Sequence, residues 1–76
     1  MHLTIYKTSV ANKSHVQQLQ IILDKLPLIT QWNFDLDDCD NILRIISIDL
    51  QPQVICQLLQ TEGFNCEPME SFIYHD

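Results

Sequence analysis

The side chains of this 76-residue chain with the most chemistry to offer are three histidines, three cysteines and ten carboxylates. In Ala11-Asn12-Lys13-Ser14-His15 an amide and an imidazole stand three residues apart in a polar stretch. His15 could ligate Zn(II) or Cu(II), but one imidazole beside a neutral, hard amide and the positive charge of Lys13 makes a feeble chelator. His2 follows the Met1 amine and could chelate Cu(II) through amine, backbone amide and imidazole. Asp35, Asp37, Asp38 and Asp40 crowd one short stretch and offer oxygen ligands of the kind Ca²⁺ or Mg²⁺ takes. The regular D-x-D-x-D-G spacing and a downstream bidentate Glu are missing, so these carboxylates read as a solvated, turn-forming edge.

The thiols offer less. Cys39, Cys56 and Cys66 are odd in number and lack metal-pair spacing, so reduced thiols are expected rather than a disulfide framework. Cys39 has acidic neighbours, which work against the thiolate that a reactive cysteine needs. Cys56 and Cys66 read as small apolar fillers. No Ser/His/Asp order and no H-E-x-x-H helix is present, and one glycine cannot build a phosphate-cradling loop. The chain is therefore expected to be no enzyme and to need no cofactor. Its length points the same way, because a chain this short buries only about 60% of its extended surface and leaves little scaffold for a deep cleft.

Ten Asp+Glu against four Lys+Arg give a net charge of −6. Nucleic acid is an improbable partner, since that affinity needs clustered Lys and Arg. Anionic membrane surfaces are disfavoured for the same reason. No apolar run approaches the roughly 20 residues that span a bilayer. The opening MHLTIYKTSV alternates like a strand instead of showing a basic start and an apolar block. A cytoplasmic protein is expected.

The elements that must position these groups follow from periodicity. LTIYKT (3–8) alternates Leu3 and Ile5 against Thr4, Tyr6 and Thr8, as a strand does. Ser14, with Gln17 three residues on, reads as a helix-starting capping box. Val16, Leu19, Ile22, Leu23 and Leu26 then form one apolar stripe that Pro27 ends. ITQWNFDL (29–36) alternates Trp32, Phe34 and Leu36 with polar residues, a half-buried second strand. DDCDN (37–41) is a turn. ILRIISI (42–48) is a third strand with Leu43 and Ile45 inward and Arg44 outward. Ile46 and Ile48 break the alternation there and suggest a bulge or a switch of face. Pro52 opens a second helix with Ile55, Leu58 and Leu59 on its stripe, and Gly63 closes it. Residues 64–69 form a short fourth strand, and residues 70–76 a tail.

The order β-α-β-β-α-β predicts an α+β, ferredoxin-like sandwich: a four-stranded antiparallel sheet with two helices on one face and the first and third strands central. One domain over residues 1–69 is expected. Within it, Lys7-Thr8 at the end of the first strand, the helix from Val16 to Leu26, the strand-like runs 29–36 and 42–45, and Glu62-Gly63-Phe64 closing the second helix resemble the heavy-metal-associated domains of small copper chaperones and metal-transporting ATPases. That family carries a C-x-x-C pair in the first loop, and the corresponding positions here hold Asn12 and His15. The resemblance implies that Asn12 and His15 mark a degenerate metal site. Cu(I) demands soft thiolates, so the loop is expected not to hold copper at physiological free-ion levels. The function expected is a non-enzymatic interaction or accessory module that has lost the thiol site. It would touch a protein partner or a second copy through the open sheet face, an edge strand near Trp32, or the acidic side at Asp37 and Asp38. Trp32 fits either the core or such an edge, where aromatic residues favour pairing with another chain. The alternative is a divergent carrier binding Cu or Zn weakly through His15 with Asn12, or with ligands from a second copy.

Overall fold

The computed structural model describes residues 1–37, 40–49 and 51–73. Its elements run β1 (His2–Thr8), α1 (Lys13–Leu23), β2 (Ile29–Asp35), β3 (Ile42–Ser47), α2 (Pro52–Thr61) and β4 (Cys66–Ile73). The strands form one antiparallel sheet in the order β2-β3-β1-β4. This is the ferredoxin-like βαββαβ layout, with β1 and β3 central and β2 and β4 as edges. No helix among the described residues is long and apolar enough to cross a membrane.

The core lies between the helices and one sheet face. Leu19 and Leu23 of α1 and Ile55, Cys56 and Leu59 of α2 meet Tyr6, Leu43 and Ile45 of the central strands, with Val10 and Phe64 closing the ends. Helix α2 packs on β4 and α1 on β2. The alternation of β1 is kept, yet the face turned to the helices is Thr4, Tyr6 and Thr8, all buried. Tyr6 supplies the bulk on that face. Thr4 and Thr8 are satisfied by hydrogen bonds, Thr4 Oγ1 with Ser71 Oγ at 3.0 Å and Thr8 Oγ1 donating to the Asn41 carbonyl at 2.7 Å. Leu3 and Ile5 turn to the open face, where the register sets Leu3 between Ile46 and Phe72 and Ile5 between Arg44 and Glu70.

Four expectations are corrected. Helix α1 is capped by Asn12 rather than by Ser14: the Asn12 side chain accepts the His15 N–H at 3.0 Å, and Ser14 lies inside the first turn. Asn and Ser are equally good caps, and the loop geometry chooses between them. The helix ends at Leu23, one turn before Pro27, although Leu26 still packs on the core. Strand β3 stays regular: Leu43, Ile45 and Ser47 face in, Ile46 faces out, and Ile48 lies exposed beyond the strand. The irregularities fall on its neighbours, at Ile29/Gln31 in β2 and opposite Ile5/Tyr6 in β4.

The fourth correction concerns the C-terminal stretch. Strand β4 continues to Ile73, so residues 70–73, read from sequence as the start of a tail, pair with β1. The register shift between Glu70↔Ile5 and Pro68↔Tyr6 leaves Met69 as the extra residue. A bulge there accommodates Pro68, which cannot donate to the ladder, and lets pairing resume beyond it.

Candidate functional site

The first loop leads into α1 and carries Asn12 and His15. Asn12 has extended backbone and sits as the N-cap of α1, so its Oδ1 is spent on the His15 amide. His15 reaches back in turn: its Nδ1 accepts the Ala11 N–H at 3.1 Å. The two side chains therefore close a reciprocal network that satisfies amides at the helix start. His15 is half-buried rather than exposed, and its ring meets Phe64 edge-on with centroids 4.9 Å apart. The arrangement joins Asn12 and His15 as a cap, leaving the imidazole only Nε2 to offer a metal. Among the described residues no group of three or more His, Cys, Asp or Glu is arranged to hold a metal ion. His2 begins β1 at the end opposite this loop.

The second region is the β2 edge. Trp32 is half-buried and faces α1; its Nε1–H donates to Asp24 Oδ1 at 2.9 Å, and its ring meets Phe34 edge-on at 5.9 Å. A groove of about 740 Å³ runs beside the strand, walled by Val16 and Lys13 of α1 and by Trp32, Phe34 and Asp37. Trp32 thus serves the core with one side and the groove with the other. Asp37 is exposed at the mouth of the same groove. Asp38 and Cys39 lie outside the described residues. Two carboxylates of the acidic stretch are already ion-paired, Asp35 with Arg44 and Asp40 with Lys7, each at 3.7 Å. Such partly exposed pairs contribute little stability, on the order of 0–1 kcal/mol.

The two sheet edges differ in how they discourage pairing. β4 carries Glu67, Pro68 and Glu70 and a bulge at Met69, which are devices that blunt an edge. From Gln31 to Asp35, β2 has regular register and contains neither proline nor lysine. Both edges carry a bulge, but only β4 adds a proline and two glutamates, so the less guarded edge is the one beside the aromatic groove.

The third region escaped the sequence reading. Thr8↔Cys66 pairing puts Cys66 on the helix side of β4, under α2, where it packs against the core cluster that contains Cys56. Tyr6 packs in the same core cluster. Burial pushes the Cys66 thiol up strongly, and its proximity to Cys56 adds to the shift. Burial likewise holds the Tyr6 hydroxyl well above its ordinary value, reinforced by both thiols and opposed by a hydrogen bond with Thr4. No spacing rule marks residues 56 and 66 as neighbours. The available signal was the Gly63 turn, which folds β4 back against α2. Comparisons with family models, with curated proteins and with solved structures found no match for this chain.

Proposed function

We propose that the chain is a non-enzymatic, cytoplasmic protein-interaction module on a scaffold resembling the heavy-metal-associated domains, in which a helix cap has replaced the thiol metal loop. The observation that carries this reading is the reciprocal cap. Asn12 Oδ1 accepts from the His15 amide and His15 Nδ1 accepts from the Ala11 amide, so both side chains at the metal positions already have structural work. The contact surface is the β2 edge with its groove. An edge strand supplies unpaired backbone groups, and an adjoining aromatic pocket gives a side chain of the partner somewhere to bind. The partner is a protein or a second copy, and the net charge of −6 favours encounter with a basic surface.

The test places a photo-crosslinking side chain at Asn33, on the β2 edge, and for contrast at Val54, on the outer side of α2. Sedimentation of the purified chain is followed in parallel. The reading expects a discrete cross-linked species from Asn33, absent from Val54 and lost on Trp32→Ala while the helical circular dichroism persists. A strictly monomeric protein with no position-dependent product overturns it. Stoichiometric copper or zinc in untagged protein, lost on His15→Ala, would replace it with the carrier reading.

A further inference from the structure

We propose that the open face of the sheet is the contact surface of a weak, two-fold symmetric dimer of this chain, made by β1, β3 and β4 and leaving the β2 edge free. The starting point is the polarity of β1. A sheet with one wet face turns apolar side chains inward and polar ones outward. On β1 the aliphatic pair is reversed: Thr4 and Thr8 flank Tyr6 on the buried side, and Leu3 and Ile5 lie on the open face. The inward threonines are tolerated through hydrogen bonds, Thr4 with Ser71 and Thr8 with the Asn41 carbonyl. The register gives Leu3 an apolar neighbour on each side, Ile46 on β3 and Phe72 on β4, so one apolar row crosses three strands. Phe72 is 47% exposed there. An apolar row on the face away from the helices marks a contact surface.

The charges on the face select a second copy as its cover. The next row is Arg44, Ile5 and Glu70, with a cation on one side of the central strand and an anion on the other. Two sheets packed face to face can be related by a two-fold axis across the strands or along them. An axis across the strands over this row stacks Arg44 on Arg44 and Glu70 on Glu70. An axis along β1 exchanges β3 with β4. Each Arg44 then meets the Glu70 of the other copy, Ile46 meets Phe72, and Leu3 and Ile5 meet their own counterparts. Glu70 makes no ion pair among the described residues, and Arg44, paired there with Asp35 at 3.7 Å, has further N–H groups to donate. Lys7 meets Lys7 at the far end, where each already holds Asp40 and pairs with Glu67 across the ladder. The chain has a net charge of −6, yet this face holds two of its four cations, Lys7 and Arg44, so repulsion between copies is reduced here. Strand β2 overhangs the contact, and its groove stays open to another partner. Three strands from each copy make less than the roughly 1,000 Å² of a tight interface, so the dimer is reversible, with a Kd above about 1 μM.

Sedimentation of the purified chain in reducing buffer, from about 10 μM to about 1 mM, tests this. A concentration-dependent monomer–dimer equilibrium is expected. Glu70→Arg and Arg44→Glu each set like charges face to face, and each should weaken association about tenfold or more. An equimolar mixture of these two variants should associate again, because every facing pair in the mixed dimer is then of opposite sign. Misfolded variants would show no such recovery. Phe72→Ser should weaken association about tenfold, since the ring is lost from both sides of the contact. Trp32→Ala, which alters only the β2 groove, should leave it unchanged. A protein that stays monomeric throughout, or a mixture that associates no better than its components, overturns the proposal. Association lost on Trp32→Ala but kept in Glu70→Arg belongs to the β2 edge and overturns it too, while supporting the reading of that edge. Should Arg44→Glu fail to fold, Glu70→Arg and Phe72→Ser decide, and both must weaken the dimer.

Discussion

The first loop and the thiol pair are opposite answers to the same question of where this small fold keeps its reactive side chains. At the loop, Asn12 and His15 are three residues apart, near the surface, and bonded to backbone within the same helix start. At the pair, Cys56 and Cys66 come from different elements and pack into the same core cluster as Tyr6. The loop is the region where sequence promises chemistry, and there the side chains are consumed by capping. The pair promises nothing by sequence, and there one thiol is buried and the other half-buried in a single cluster. Proximity in sequence serves local hydrogen bonds, whereas sheet register and helix packing bring groups from distant segments into one core.

The strongest challenge to this contrast is Tyr6→Ala, which removes the ring beneath both thiols. The cavity should cost about 3–5 kcal/mol, read as a drop in the urea midpoint. A loss below about 1 kcal/mol would mean that the cluster is loosely packed.

At the loop, Asn12→Ala should cost about 1 kcal/mol, the usual effect of losing an N-cap, and Asn12→Ser should recover most of it. If Asn12→Ala is neutral in metal-free protein, the cap is not what holds these residues. His15→Ala should cost less, about 0.5–1 kcal/mol through the lost edge contact with Phe64. It should also speed hydrogen exchange at the Ala11 amide, which loses its acceptor.

Alkaline titration distinguishes the regions without mutation. Tyr6 and Cys66 both ionise at higher pH in the folded chain than in the unfolded one. Their contribution to stability is therefore fully present at neutral pH. It fades as pH rises past about 9 for the thiol and about 10 for the phenol, the values of the unfolded groups. Thermal melts at pH 7 to 11 should show that decline in the reduced protein. Cys66→Ser should shrink it, because the thiol no longer titrates. A decline of the same size in that variant would assign it elsewhere.

Much of the architecture is legible in the chain itself. Leu19 and Leu23 at helical spacing, Ile55 and Leu59 likewise, and Leu43 with Ile45 around Arg44 mark the buried faces that are observed. These signals survive because periodicity is a property of single elements. The inward face of β1 was harder: Leu3 and Ile5 are the apolar pair, but Tyr6 carries more bulk and the neighbouring threonines find hydrogen-bond partners. The end of β4 was missed because Pro68 looks like a terminus, whereas a bulge carries the strand past it. At the candidate sites, the helix start at residues 12–15 was legible as a loop of polar residues. Its reciprocal hydrogen bonds depend on which of two good capping residues the backbone favours.

By itself, the order and spacing of apolar residues determined that this protein has two helices on an open four-stranded sheet. Those patterns follow from the fixed repeats of helix and strand, so they need no partner element to be read. Only the tertiary structure decided that Trp32 faces both core and groove, that β4 is the more strongly blunted edge, and that Cys56 and Cys66 pack in one cluster. Each of these depends on register and crossing between segments distant in the chain, and no local rule carries that information.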